Sequence, residues 1–145
     1  ELQKPNVLVG FLYKDAWWVP GGNSYMSNLI SDVGGNYLGN DNPSHESYII
    51  SWENALNWAN SADIWINTGN MTSKKEIIST DQRVGKFTVF RTGKIYNNVK
   101  RLSPDGANDF WESGTVNPHL ILRDLIMIFH PGIIKEEMIY YKELL

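Results

Sequence analysis

Carboxylates crowd one stretch of this sequence: Asp105, Asp109 and Glu112 all fall between Ser103 and Gly114. Two carboxylates facing across a cleft, roughly 5–10 Å apart, would suit glycosidic hydrolysis, and so a carbohydrate-active enzyme domain. Carboxylates clustered in one Ser-, Pro- and Gly-containing loop are more often turn chemistry. The remaining catalytic inventory is thin. The 3 His are His45 in a polar stretch, His119 at a helix start and His130 before Pro131. None has a second His three or four residues away, so a helical metal site is not supported. His130 fits a helix C-terminus, where positive charge is favoured. With Cys at 0 there is no thiolate nucleophile, cysteine metal site or disulfide framework. Neither a G-x-S-x-G elbow nor a phosphate-binding loop occurs. No catalytic residue, metal ligand or intrinsic cofactor is assigned.

Aromatic residues are the stronger signal, with 6 Trp, 7 Tyr and 5 Phe. Trp52, Trp58 and Trp65 fall in periodic elements and read as core. Trp17 and Trp18 stand beside Pro20-Gly21-Gly22, and Phe110-Trp111 lies in the Ser103–Gly114 stretch, so these read as loop residues. Flat aromatic faces near side-chain amides such as Asn97 suit a large, partly apolar ligand with polar edges. Tyr25 and Tyr48 join them by the same logic.

These side chains need a scaffold, and the chain is long enough to make one. Its 145 residues suit a single domain with its own core. A net charge of −3 argues against non-specific nucleic-acid binding. No apolar run approaches the roughly 20 residues of a membrane span. Asn6–Tyr13 reads as one buried strand, followed by a loop over Asp15–Gly22. Ser24 or Asn23 caps a helix carrying Met26, Leu29, Ile30 and Val33, which Gly34-Gly35 stops. Asn36–Ser47 is a polar loop, and Ser51 caps a second helix with Trp52, Ala55, Leu56 and Ala59 on its buried stripe. Asp63–Asn67 is a strand, Ser73–Glu76 a capping box, Phe87–Phe90 and Lys94–Tyr96 further strands. Asn117-Pro118 opens a last helix to about Phe129, and the tail from Ile133 is open between short helix and edge strand. Strands alternating with helices predict an α/β three-layer sandwich with a mostly parallel central sheet. In such sheets ligands bind beyond the carboxyl ends of the strands, where several of these loops would converge.

Three segments carry a family resemblance: Trp17 to Tyr25 with the helix and Gly34-Gly35 after it, Asp63–Asn67 through Gly93–Asn98 to Asn108–Gly114, and the helix Leu120–Ile126 with Phe129-His130-Pro131. Their order and spacing resemble the C-terminal lobe of an ABC-transporter substrate-binding protein of the iron-siderophore, haem or cobalamin type. The likeness spans nearly the whole chain. Asn117-Pro118-His119 departs from it, since related chains usually have Pro followed by Asp.

The resemblance implies one lobe of a two-lobe binding protein, with residues 1–145 as the C-terminal lobe. The N-terminal lobe, a linking helix and an export signal would lie outside them. It implies a binding module and not an enzyme, taking a metal chelate such as a ferric siderophore, haem or corrinoid. It also implies a permease with its ATPase as partners, and a periplasmic or membrane-anchored location. The membrane would be reached only through the permease or a lipid anchor. The ligand contacts it implies are Trp17 and Trp18, then Ser47 and Tyr48, then Phe110 and Trp111. Glu46 and Asp15 are candidates for docking on the permease. A signalling protein's ligand-sensing domain would use the same lobe.

Overall fold

The computed structural model describes residues 3–145. Strands β1 (Asn6–Val9), β4 (Asn36–Tyr37), β6 (Ile64–Ile66), β7 (Lys94–Asn97) and β8 (Lys142–Glu143) form one sheet in the order β4-β1-β6-β7-β8. All neighbours are parallel except β8, which runs antiparallel to β7. Successive strand residues point to opposite faces. Val7, Val9, Ile64 and Ile66 therefore meet helices α1 (Tyr25–Asp32) and α5 (Pro118–Phe129) on one side. Leu8, Trp65 and Ile95 meet α2 (Trp52–Ser61), α3 (Lys74–Thr80) and α4 (Thr88–Arg91) on the other. The result is the expected three-layer α/β arrangement.

The chain departs from the sequence reading directly after β1. The predicted single strand Asn6–Tyr13 breaks at Gly10, whose φ of 137° is open to glycine. A Cβ there would stand 2.4 Å from the Trp18 carbonyl oxygen. Beyond the kink, β2 (Phe11–Tyr13) pairs antiparallel with β3 (Ala16–Val19), and β3 with β5 (Tyr48–Ile50), giving a second small sheet. Lys14 and Asp15, at φ 51° and 62°, make the two-residue hairpin turn. Trp17 and Trp18 thus lie on a strand and not in a loop. The Trp65 indole donates to the Gly10 carbonyl at 3.0 Å and pins the kink. The Trp17 ring packs at 5.7 Å from Trp65 and 5.4 Å from Phe87, tying the second sheet to the first.

Three other readings change. Thr88–Arg91 is one helical turn where a strand was expected. Asn36–Tyr37 and Tyr48–Ile50 are strands at the ends of the expected polar loop. The tail resolves as the edge strand β8. The caps behave as read: Ser24, Ser51 and Ser73 each accept the N–H three residues on. In the Ser73–Glu76 segment, however, the Glu76 carboxylate reaches Thr72 and not Ser73, so the box closes one residue early. Pro118 stands at the first helical turn, but Asn117 donates to the Ser113 carbonyl and makes no side-chain cap.

Candidate functional site

The strand order contains a switch point. From β1 the chain moves out to β4 on one side, then returns to β6 on the other. At such a point the connections leave the sheet in opposite directions and open a crevice at the carboxyl ends. A cavity of about 820 Å³ lies there, against Val9-Gly10 after β1 and Asn67–Met71 after β6. Its walls are mostly apolar and aromatic: the hairpin supplies Phe11, Tyr13, Trp17 and Trp18, the start of α1 supplies Tyr25 and Met26, and Trp65 and Trp111 complete it.

Polar positions are few and held from behind. Asn97, at the end of β7 and fully buried, accepts the Thr68 N–H at 2.9 Å and donates to the Gly69 and Met71 carbonyls at 2.9 and 2.7 Å. It thereby fixes the course of the loop after β6. Asn67 takes φ 57°, left-handed for a residue with a side chain, and its Oδ1 accepts from the Tyr141 hydroxyl at 2.7 Å. Burial pushes the Tyr141 hydroxyl well above its ordinary pKa, so it remains a donor. On the far wall Pro20 leads into Gly21, where a Cβ would stand 2.1 Å from the Ser44 carbonyl oxygen. That close approach seats the segment carrying His45 and Ser47 at the cavity rim. His45 Nδ1 donates to the Asn23 carbonyl at 3.0 Å.

Charge is scarce on the wall. Asp81 lines the cavity, and the Arg83 guanidinium grips it with Nε–Oδ1 at 3.0 Å and Nη2–Oδ2 at 2.6 Å. Those hydrogen bonds hold the carboxyl below its ordinary range. Asp105, Asp109 and Glu112 do not line the cavity. Asp109 accepts from the Ser113 hydroxyl and the Arg101 guanidinium at 2.6 Å each, and Asp105 from the Ser103 hydroxyl. Asp105 and Asp109 are thus taken up in local hydrogen bonds, the turn chemistry the sequence favoured over a paired-carboxylate cleft. No group of three or more metal-ligating side chains occurs among the described residues.

The sequence model of the family described as "Periplasmic binding protein" matches residues 1–101. The chain belongs to the periplasmic binding protein family. An uncharacterized lipoprotein of Methanocaldococcus jannaschii is 23% identical over 134 residues, which is 90% of this chain and 30% of that protein. An ABC transporter substrate-binding protein from Listeria monocytogenes superposes with a TM-score of 0.64 at 17% identity, over 90% of this chain and 49% of that one. A TroA-like periplasmic binding protein, FepB, from Veillonella parvula gives 0.65 at 12% identity, over 97% and 49%. The chain thus spans about half the length of those two structures and less than a third of the archaeal lipoprotein.

Within this periplasmic binding protein the expected site residues divide. Trp17, Trp18, Tyr25, Ser47 and Trp111 line the cavity. Tyr25 and Trp111 stand 48% and 59% exposed at its rim. Trp17 is also a core residue, only 3% exposed. Phe110 is buried at 1%, edge-on to Tyr140 and Tyr141, and backs Trp111 at 4.7 Å without reaching the cavity. Asn97 is a scaffold for the loop and not a wall residue. Tyr48 sits on β5 outside the lining, where burial and then Asp41 raise its hydroxyl pKa. Glu46 and Asp15 are both exposed, Asp15 at the hairpin tip. The sequence reading missed Phe11, Tyr13 and Met71. Two short apolar, strand-forming runs, Phe11–Tyr13 and Ala16–Val19, separated by the two charged residues Lys14-Asp15, were the available hairpin signal.

Proposed function

We propose that this chain is the C-terminal ligand-binding lobe of the substrate-binding component of an ABC importer. Its cargo is a metal chelate such as a ferric siderophore, haem or a corrinoid. It acts outside the cytoplasm, by way of a lipid anchor or as a periplasmic protein, and hands its ligand to a permease driven by an ATPase. It binds and releases without chemistry. The observation that carries this reading is the aromatic cavity at the strand switch point, open on one side. Such a half-enclosed wall holds one face of a large ligand and leaves the other for an opposing surface. The lipoprotein relative and the substrate-binding neighbours support the setting, as does a third similar structure, a possible iron-binding protein from Staphylococcus epidermidis.

Fluorescence titration tests it, because Trp17, Trp18, Trp65 and Trp111 line the cavity and report on its occupancy. A chelate seated there quenches them. Trp111→Ala and Tyr25→Ala each weaken binding by about 1–3 kcal/mol if these rim aromatics are anchors. Wild-type affinity in both variants rules out this wall as the binding face.

A further inference from the structure

The wall's charge has a consequence for the ligand. None of the residues lining the cavity is Lys or Arg. Its one carboxylate, Asp81, is closed off by Arg83, whose guanidinium carbon lies 4.4 Å over the Trp52 ring. Lys14 lies at the hairpin tip with its ammonium 5.3 Å over the Tyr13 ring, outside the lining. The remaining titratable groups on the wall are His45 and the phenols of Tyr13 and Tyr25. Trp17 Nε1, Trp18 Nε1 and the Thr68 hydroxyl are occluded from solvent, so the polar groups within a ligand's reach are neutral ones, chiefly the half-buried Asn67 amide and the exposed Asn70 amide and Ser47 hydroxyl. A side-chain amide both donates and accepts, so it pairs with a ligand's neutral oxygens without needing a charge.

We propose that the chelate face this lobe takes is uncharged: apolar in its body, with carbonyl, amide or hydroxamate oxygens as acceptors. The proposal rests on the chelate-capture reading above and narrows its ligand. An anionic chelate pressed on this wall loses hydration and gains no cation in return. An uncharged trihydroxamate or corrinoid loses far less and offers oxygens to the Asn67 and Asn70 amides.

The test titrates this chain with four probes, read by tryptophan quenching. Ferrichrome and cyanocobalamin are uncharged; ferric enterobactin and haemin are anionic. At least one uncharged probe binds about tenfold or more tighter than either anionic one. Its Kd stays constant from about 50 to about 500 mM salt, because no exposed ion pair holds it. Comparing ferrichrome with cyanocobalamin separates the two uncharged classes. Thr80→Arg places a cation on the exposed rim at a residue with no anchoring role, and raises affinity for ferric enterobactin by about tenfold. An anionic probe that binds as tightly as both uncharged ones overturns the charge proposal and leaves chelate capture standing. If none of the four quenches, capture itself fails and the charge proposal falls with it.

Discussion

Asp124 holds the C-terminal tail against the fold, and removing it is expected to cost a large part of the stability. It sits within α5, fully buried, with its carboxylate turned to the tail. Oδ2 accepts the N–H of Ile139 at 3.1 Å, Tyr140 at 2.6 Å and Tyr141 at 3.1 Å. Oδ1 accepts only the shared Ile139 N–H, at 3.0 Å. Asp124→Ala leaves these three backbone donors without their acceptor. Each unsatisfied donor costs about 1–3 kcal/mol, and water entering the vacated space recovers part, so about 3–5 kcal/mol is expected. Asp124→Asn is a different perturbation. Its amide oxygen can take the Oδ2 place and keep all three donors, while its NH2 opposes only the shared Ile139 N–H. About 1–2 kcal/mol is expected, for the lost charge assistance.

Urea unfolding followed by tryptophan fluorescence measures both. With a slope of about 2 kcal/mol per molar, the Ala variant loses roughly 2 M in midpoint and the Asn variant under about 1 M. Amide exchange at Ile139–Tyr141 should accelerate before the rest of the core in the Ala variant. The effect also reaches the cavity, since Tyr141 bonds Asn67 and both tail tyrosines pack on Phe110. An Ala variant within about 1 kcal/mol of wild type refutes the clamp. An Asn variant as damaged as Ala shows that charge, and not the placing of one oxygen, holds the tail.

Gly10→Ala forces a Cβ to 2.4 Å from the Trp18 carbonyl at φ 137°, and should cost more than about 3 kcal/mol in a thermal melt. Asn97→Ala unpairs the Thr68 N–H and two loop carbonyls. It should cost about 2–4 kcal/mol and speed proteolysis near Thr68–Met71. Acid sensitivity follows from Asp109, whose carboxyl is held below its ordinary range by the Ser113 hydroxyl and then Arg101. The unfolded carboxyl binds its proton at about pH 4. The stabilisation is therefore complete above that pH and is lost as pH falls through the lower folded value. Asp81, gripped by Arg83, and Asp105, by Ser103, act in the same direction. Urea midpoints between about pH 5 and 2 should fall, and less steeply in Asp109→Asn.

Local rules made much of the scaffold legible. Serine caps, the apolar stripe of α1 and the stop at Gly34-Gly35 are settled within a turn of chain, and each appears as read. The hairpin was hidden because its turn, Lys14-Asp15, lacks the glycine that usually marks a two-residue turn with both φ positive. What fixes it is distant: β3 pairs with β5, and Trp17 packs on Trp65 and Phe87. Thr88–Phe90 has strand-forming residues, yet Phe87 and Val89 are both fully buried and the segment winds into a helical turn against α2. Tertiary packing overrides propensity there.

Phe110 and Trp111 show why adjacent residues of one type divide between core and site. Both lie on the short 3-10 turn Asp109–Trp111, where neighbours project in different directions. Asn108 caps that turn, accepting the Phe110 N–H at 3.1 Å while donating to the Asn98 carbonyl at 2.9 Å. The turn is held from its other end by the Asp109–Ser113 and Ser113–Tyr140 hydrogen bonds. With its orientation fixed, Phe110 must face the tail tyrosines and Trp111 must face the cavity. The sequence supplies the pair, and the capping amide two residues earlier decides which ring is structural and which is free to meet a ligand.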